Sequence, residues 1–294
     1  MLSFLLGSHP KIATVCELTS VKKMYYMYED YMCSCGNTFD NCMFWNKVNK
    51  ILSIESNRKS LKEVTSNFSP TPTKLIDRLY VKNFNNFILS GLRDNFINFV
   101  PIFKKYFNNL NENYLLLAEI ILKITKKSVF LDASKHPNRI RFLKPLLGNK
   151  LKIIHLVKDG RGVYDSFIRY ESKQPDKSDR SDKKRILSWK KINQIIEFEI
   201  AKLPKENVYF LAYEKLVNDT ENQMRNIFNF VDVKYNSNYI NFRDFEHHII
   251  GNKMRLNGTS ELYYDEKWKD SLNKHQLALF DALAGDLNRK YGFQ

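Results

Sequence analysis

The feature that most constrains the fold is a short apolar run that ends at a cation and enters a helix through two glycines. The run covers residues 152–157, and Lys158-Asp159-Gly160-Arg161-Gly162 follows it. A short apolar run bounded by a turn signal is consistent with a buried parallel strand. Ligands of parallel sheets bind outside the carboxyl ends of the strands, where helix N-termini offer N–H groups to anions. The sequence therefore predicts an α/β fold with an anion site directly after this strand.

Further strand and helix signals alternate along the chain, which favours a parallel sheet with right-handed crossovers. Short apolar runs predict two more strands, at residues 128–131 and 208–211. Apolar residues at three- and four-residue spacing predict amphipathic helices over 73–91 and 94–126. Other helices are predicted at 139–147, 162–170, 185–203, 220–231 and 272–291, and residues 4–6 are expected to end a short one.

The chain shows no internal repeat and no linker rich in proline or glycine. Residues 1–294 are therefore predicted to form a single domain, with the polar stretch 171–184 as a loop within it. No apolar run approaches the roughly 20 residues of a membrane span. The first residues also lack the charged region of a signal peptide. We therefore expect no membrane segment and a cytoplasmic location.

The formal net charge of +15 favours anionic partners such as nucleotides or acidic glycans. A lysine-rich surface that serves solubility is the alternative explanation for much of this charge. Nucleic acid is not an expected partner, because no nucleic-acid-binding motif is present. The sequence does not indicate an oligomeric state.

The segment that starts at Lys158 resembles the 3′-phosphate motif of sulfotransferases that use 3′-phosphoadenosine-5′-phosphosulfate (PAPS). It continues to Val163, and Ser166 stands at the position where the family has a serine. Four further stretches resemble family motifs and occur in the family's order. They are Leu6-Gly7-Ser8-His9-Pro10 up to Glu17-Leu18, Cys33-Ser34-Cys35-Gly36 with Cys42-Met43-Phe44-Trp45, Asp132 to Arg139, and Gly251 to Arg255 with Trp268 beyond.

The resemblance implies a P-loop NTPase-like parallel sheet flanked by helices. It also implies transfer of a sulfuryl group from PAPS to a hydroxyl or amine of a carbohydrate or small-molecule acceptor, with no metal required. The donor-binding residues implied by the motifs are Lys158 and Ser166 at the 3′-phosphate, Tyr213 at the adenosine, and Asn252, Met254 and Arg255 in a loop over the nucleotide, with Arg255 also at the 3′-phosphate. Lysine at position 158 keeps the charge of the family's arginine but lacks its two-pronged contact with phosphate.

Sulfuryl transfer needs a base for the acceptor and cations over the developing charge. His136 is one candidate base, because an unperturbed imidazole titrates near neutral pH. Lys135 is the candidate cation. Glu17 is the rival base, since its position resembles that of the catalytic glutamate in tyrosylprotein sulfotransferases. The alternative interpretations are that His136 caps a helix or is solvated, that Lys135 is a surface residue, and that Glu17 forms a salt bridge.

The resemblance also implies that one element of the donor site is missing. In the family, a first strand and an Arg-Ser-Gly-Thr loop hold the 5′-phosphosulfate, and the resemblance places Met1 inside the helix that follows. The interpretations are a chain that starts late, or an inactive remnant that binds nucleotide or acidic glycan. A nucleotide kinase would need a Gly-Lys-Ser/Thr motif, and the sequence has none.

Three of the four cysteines, Cys33, Cys35 and Cys42, cluster in sequence, and Cys16 precedes them. Free thiols are the default in an intracellular chain. Zinc and a disulfide remain open as alternatives. The spacing fits zinc poorly, because no second Cys-x-x-Cys and no histidine pair accompanies it.

Overall fold

The computed structural model describes residues 1–27, 31–56, 59–64, 87–135, 137–173, 181–251, 253–256 and 258–294. They form two compact units, and each unit combines two chain segments. The first comprises Met1–Leu146 with Asp232–Glu261, and the second comprises Leu147–Val231 with Leu262–Gln294. The prediction of a single domain stays a prediction.

The first unit is built on a pair of parallel strands, β1 (Ile12–Cys16) and β2 (Val129–Asp132). The register places Ile12 opposite Val129 and Cys16 opposite Asp132. β1 is short and was not predicted, although Gly7 and Pro10 before it are turn signals. Its pairing with β2 comes from a distant part of the chain and is not visible in local periodicity.

Helices surround this pair of strands, and their apolar faces form the core of the first unit. In chain order they are α1 (Leu2–Gly7), α2 (Val21–Met27), α3 (Met43–Glu55), α4 (Phe87–Phe99), α5 (Pro101–Thr125) and α6 (Ile140–Leu147). The short helix expected to end near residue 6 is confirmed.

The stretch 94–126 is helical as predicted, but two helices share it. The helical backbone is interrupted at Val100, which is extended, and Pro101 then begins α5. The residue before a proline is disfavoured in the helical region, which explains the break. By contrast, Pro145 lies inside α6 without ending it. Residues 73–86 of the other predicted helix lie outside the described residues.

The second unit holds β3 (Ile153–Val157) and β4 (Val208–Ala212), paired in parallel from Ile153 opposite Val208 to Val157 opposite Ala212. Both strands were predicted. The helices of this unit are α7 (Gly160–Glu171), α8 (Asp182–Ile200), α9 (Tyr213–Asn218), α10 (Thr220–Phe230), α11 (Trp268–Ser271), α12 (Lys274–Phe280) and α13 (Asp286–Lys290). The helix predicted at 272–291 is thus divided, with a π-helical segment at Asp281–Gly285.

The β3–α7 turn packs directly on the aromatic core of the second unit. A Cβ atom on Gly160 would lie 2.6 Å from Phe280 Cζ and 2.9 Å from the indole of Trp189. Only glycine fits this approach without displacing the core. The alternation of parallel strand pairs and helices confirms the α/β fold class. Within the described part of the chain, no helix has both the length and the apolar character of a membrane span. Residues 174–180 of the predicted polar loop lie outside that part.

Candidate functional site

In the second unit, the carboxyl end of β3 is held in a fixed shape by hydrogen bonds. Asp159 caps α7, and its carboxylate accepts a hydrogen bond from the Arg161 backbone N–H at 2.9 Å. The Gly160 N–H donates to Asn288 Oδ1 at 2.9 Å. These two N–H groups at the start of α7 are therefore already bound by protein atoms.

The guanidinium of Arg161 is also bound within the protein. Its Nη2 lies 2.6 Å from Asp159 Oδ2, and the group stacks over the ring of Trp268 at 4.2 Å. Arg161 thus stabilises the turn. Lys158 also follows β3, and this cation forms no such ion pair with the described residues.

Lys158 and Ser166 lie along one face of α7. A Cβ atom on Gly162 would lie 3.4 Å from Lys158 Cε, so the lysine stem passes over Gly162. Ser166 follows Gly162 by one helical turn, and residues four apart share a helix face. The Ser166 side chain is exposed and has no hydrogen bond among the described residues. A cation and a hydroxyl are therefore both available on this face.

The carboxyl end of β4 borders the same lysine. The ring of Tyr213 lies 5.8 Å from Lys158 Nζ, and its hydroxyl donates to Tyr263 O at 2.9 Å. Glu214 accepts a hydrogen bond from the Asp159 N–H at 3.0 Å. Burial raises the pKa of both Tyr213 and Glu214. The structure thus brings Lys158 and Tyr213 together, while the sequence analysis missed the role of Glu214 in joining the two strand ends.

In the first unit, two other predicted residues meet where β1 and β2 end. Lys135 Nζ lies 2.8 Å from Glu17 Oε1, with the lysine side chain 72% exposed and the glutamate 16%. A Cβ atom on Gly251 would lie 3.1 Å from Glu17 Oε1, and Gly251 has a φ of +123°. The carboxylate therefore has a cation on one side and closely packed backbone on another.

A buried ion pair supports this edge of the strands. Arg139 pairs with Asp132, the last residue of β2, and stacks on the Tyr114 ring at 4.2 Å. Burial opposes the charge of Arg139, but Asp132 and Tyr114 raise its pKa overall. Ser134 donates a backbone hydrogen bond to Asp132 at 3.1 Å and accepts one from the Thr19 N–H at 3.1 Å. These contacts fix the segments that carry Glu17 and Lys135.

Arg255, predicted at the 3′-phosphate, is buried in the first unit. Its Nε donates to Met32 O at 2.8 Å and its Nη1 to Gly251 O at 2.6 Å, and the guanidinium stacks on Tyr31 at 4.2 Å. The phosphate contact of Arg255 stays a prediction. So do the roles of His136 and Asn252, which lie outside the described residues.

Two further predictions concern side chains near these positions. Met254 lies in the short helix Lys253–Leu256, and its side chain is outside what the structure describes.

The cysteines are all free thiols, so no disulfide joins them. Cys35 Sγ and Cys42 Sγ lie 3.6 Å apart, compared with about 2.05 Å in a disulfide. His248, which the sequence analysis missed, lies beside them.

Comparison with known proteins identifies the family of this chain. A family model described as "Sulfotransferase domain" matches residues 48–285, well over half of the chain. Among solved structures, the chain resembles the "Sulfotransferase Domain from the Curacin Biosynthetic Pathway" at 14% identity and a TM-score of 0.54, covering 100% of this chain and 93% of that one. It also resembles the "Sulfotransferase Domain from the Synechococcus PCC 7002 Olefin Synthase" at 14% identity and a TM-score of 0.49, covering 96% and 89%. No curated protein shows significant similarity.

Proposed function

Since this chain belongs to the sulfotransferase domain family, we propose that its sulfuryl donor is PAPS and that its acceptor is a hydroxyl or amine of a carbohydrate or small molecule. The chain is a sulfotransferase with an α/β fold. The observation that carries the donor assignment is the shared face of Lys158 and Ser166 directly after β3.

The chemistry of that face suits a phosphate monoester. Lys158 supplies a positive charge that forms no ion pair among the described residues, and Ser166 supplies an exposed hydroxyl. Ammonium and hydroxyl groups both donate to phosphate oxygens, and a hydrogen bond to a charged group is among the stronger ones in proteins. The ring of Tyr213 borders Lys158, and we assign it to the adenosine of the donor. The net charge of +15 favours an anionic donor in the same way.

For the transfer itself, we assign the proton to Glu17. The acceptor oxygen or nitrogen bonds to sulfur, the bond from sulfur to the 5′-phosphate oxygen breaks, and the acceptor proton goes to a Glu17 carboxylate oxygen. The desulfated donor, 3′-phosphoadenosine-5′-phosphate (PAP), is released. Lys135 Nζ lies 2.8 Å from Glu17 Oε1, so the two side chains that we assign to the transfer lie side by side. We assign Lys135 as the cation that offsets the charge developing on the transferring group.

Calorimetric titration with PAP tests the donor assignment. Lys158→Ala should weaken PAP binding by about 10- to 100-fold, because a hydrogen bond to a charged group contributes about 1.5–3 kcal/mol. Ser166→Ala should weaken it by about 2- to 10-fold, the range for a single neutral hydrogen bond. Lys191→Ala, which removes an exposed lysine from α8, is the matched control for net charge. An unchanged affinity in Lys158→Ala would contradict the assignment.

Kinetics of PAP release from PAPS, with a panel of hydroxyl and amine acceptors, test the base. Glu17→Gln keeps the shape of the side chain but cannot accept the proton. We expect kcat to fall by about 100-fold or more, with the affinity for PAP unchanged. Full activity in Glu17→Gln, together with a loss in His136→Gln, would assign the base to His136 instead.

A further inference from the structure

Three cysteine thiols and one imidazole converge at a single point in the first unit. The potential ligand atoms of Cys33, Cys35, Cys42 and His248 all lie within 4.8 Å of one another. We propose that these four residues form a structural zinc site. The site is separate from the residues assigned above to donor binding and proton transfer, and the proposal does not depend on those assignments.

Three of the separations between the ligand atoms are close to those around a tetrahedral zinc ion. With Zn–S near 2.3 Å and Zn–N near 2.0 Å, tetrahedral ligands lie about 3.5–3.8 Å apart. Cys35 Sγ and Cys42 Sγ are 3.6 Å apart. His248 Nδ1 lies 3.4 Å from Cys42 Sγ and 3.9 Å from Cys33 Sγ.

The hydrogen bonds within this group share single atoms, and Cys42 Sγ also accepts one from Cys35 Sγ. Two sulfur atoms, those of Cys33 and Cys42, approach the same Nδ1 atom. A neutral imidazole nitrogen has one lone pair and accepts one good hydrogen bond. Cys33 and Cys42 are also fully buried, so water does not supply further partners. One cation bound by three thiolates and the imidazole satisfies all four groups together. Iron–sulfur clusters usually take four cysteine ligands, whereas three cysteines and one histidine form a common zinc set.

The orientation of the histidine agrees with metal ligation. Nε2 of His248 lies 3.0 Å from a carboxylate oxygen of Glu246. The ring stacks on Phe44, with centroids 4.4 Å apart and planes inclined by 2°. Histidine ligands usually donate the N–H of the other ring nitrogen to a carboxylate or carbonyl, which fixes the tautomer. Here that contact directs Nδ1 towards the thiols.

The backbone that carries the ligands is already tied together. Ser34, between two of the cysteines, donates its hydroxyl to His247 O at 2.6 Å and accepts the Ile249 N–H at 2.7 Å. Gly36 turns the chain with a φ of +86°. Asn37 Nδ2 donates to Cys35 Sγ at 3.7 Å. The loop and the segment around His248 are therefore held in register before a metal binds.

Four protein ligands leave no open coordination position, so the zinc ion would act on structure. It would fasten the Cys33–Cys42 loop to the segment that continues into Ile250 and Gly251. The Ile250 N–H donates to Val15 O of β1 at 3.1 Å, and Gly251 packs against Glu17. The ion would thus stabilise the backbone beside the Glu17 carboxylate.

Metal analysis of the full chain, purified reduced and without chelators, tests the proposal. We expect about one zinc per chain, and cobalt(II) substitution should give the absorption of a tetrahedral thiolate site. X-ray absorption should show sulfur near 2.3 Å and nitrogen near 2.0 Å. Cys42→Ser and His248→Asn should lose most of the bound metal. Cys16→Ser and His275→Asn, which lie outside the cluster, should keep it.

The proposal is overturned if the reduced wild-type chain takes up neither zinc nor cobalt(II), or if Cys42→Ser and His248→Asn retain full occupancy. Should Cys42→Ser fail to fold, two milder variants replace it. Cys35→Ser changes the half-exposed ligand, and Glu246→Gln removes the carboxylate behind His248. Glu246→Gln should lower the zinc affinity by about tenfold, and an unchanged affinity in both variants would equally refute the site.

Discussion

Replacing Arg139 by methionine should destabilise the fold by about 3 kcal/mol at neutral pH. The Arg139 side chain is only 6% exposed and that of its partner Asp132 only 10%. Methionine keeps apolar contact with the Tyr114 ring but removes the positive charge. The variant therefore leaves a buried carboxylate without its counter-ion at the end of β2.

The magnitude follows from what remains around Asp132. Breaking a buried ion pair by removing one partner typically costs about 3–5 kcal/mol. We place the loss at the lower end, because Asp132 still accepts hydrogen bonds from the Ser134 backbone and hydroxyl. In a chain of this size, such a loss lowers the melting temperature by about 6 °C.

Thermal unfolding of a double variant distinguishes this cause from a loss of packing. The double variant Arg139→Met with Asp132→Asn should recover much of the stability, because it leaves no unpaired charge. A double variant that is no more stable than Arg139→Met alone would refute the electrostatic explanation.

The remaining predictions concern a close approach of backbone and a buried histidine. Gly160→Ala should cost about 1–3 kcal/mol in urea unfolding, because the added methyl would collide with Phe280. Gly91→Ala in α4, where no described atom outside the neighbouring helix backbone lies within 4 Å of the added methyl, should instead stabilise the chain by up to about 1 kcal/mol. Equal effects of both substitutions would contradict the packing argument. Burial lowers the pKa of His155, so the folded chain takes up a proton at this residue at a lower pH than the unfolded chain, which does so below about pH 6.5. The melting temperature of the wild type should therefore fall as the pH drops below that value. Between about pH 7.5 and 5.5, the melting temperature of His155→Gln should fall less. Equal falls in the two proteins would argue against this cause.

Much of the second unit's candidate site was predictable from the sequence, because its geometry is local. A strand, a tight turn and a helix follow one another within a few residues, so turn chemistry and helical spacing place Lys158 and Ser166 on one face of α7. The strands β2, β3 and β4 were also predicted, since each is a short apolar run with a clear end. The proline that interrupts the helix before α5, Pro101, was a local signal too, but it was not used to predict where the helix ends.

The sequence by itself determined the family, the α/β class and the order of the motifs, since each of these is written in short segments. Tertiary structure alone decided which distant residues meet. The pairing of β1 with β2 brings Lys135 to Glu17, and a loop from the far end of the chain brings His248 to the three thiols. Local periodicity carries no information about such contacts, because they arise when distant segments pack together within a whole unit.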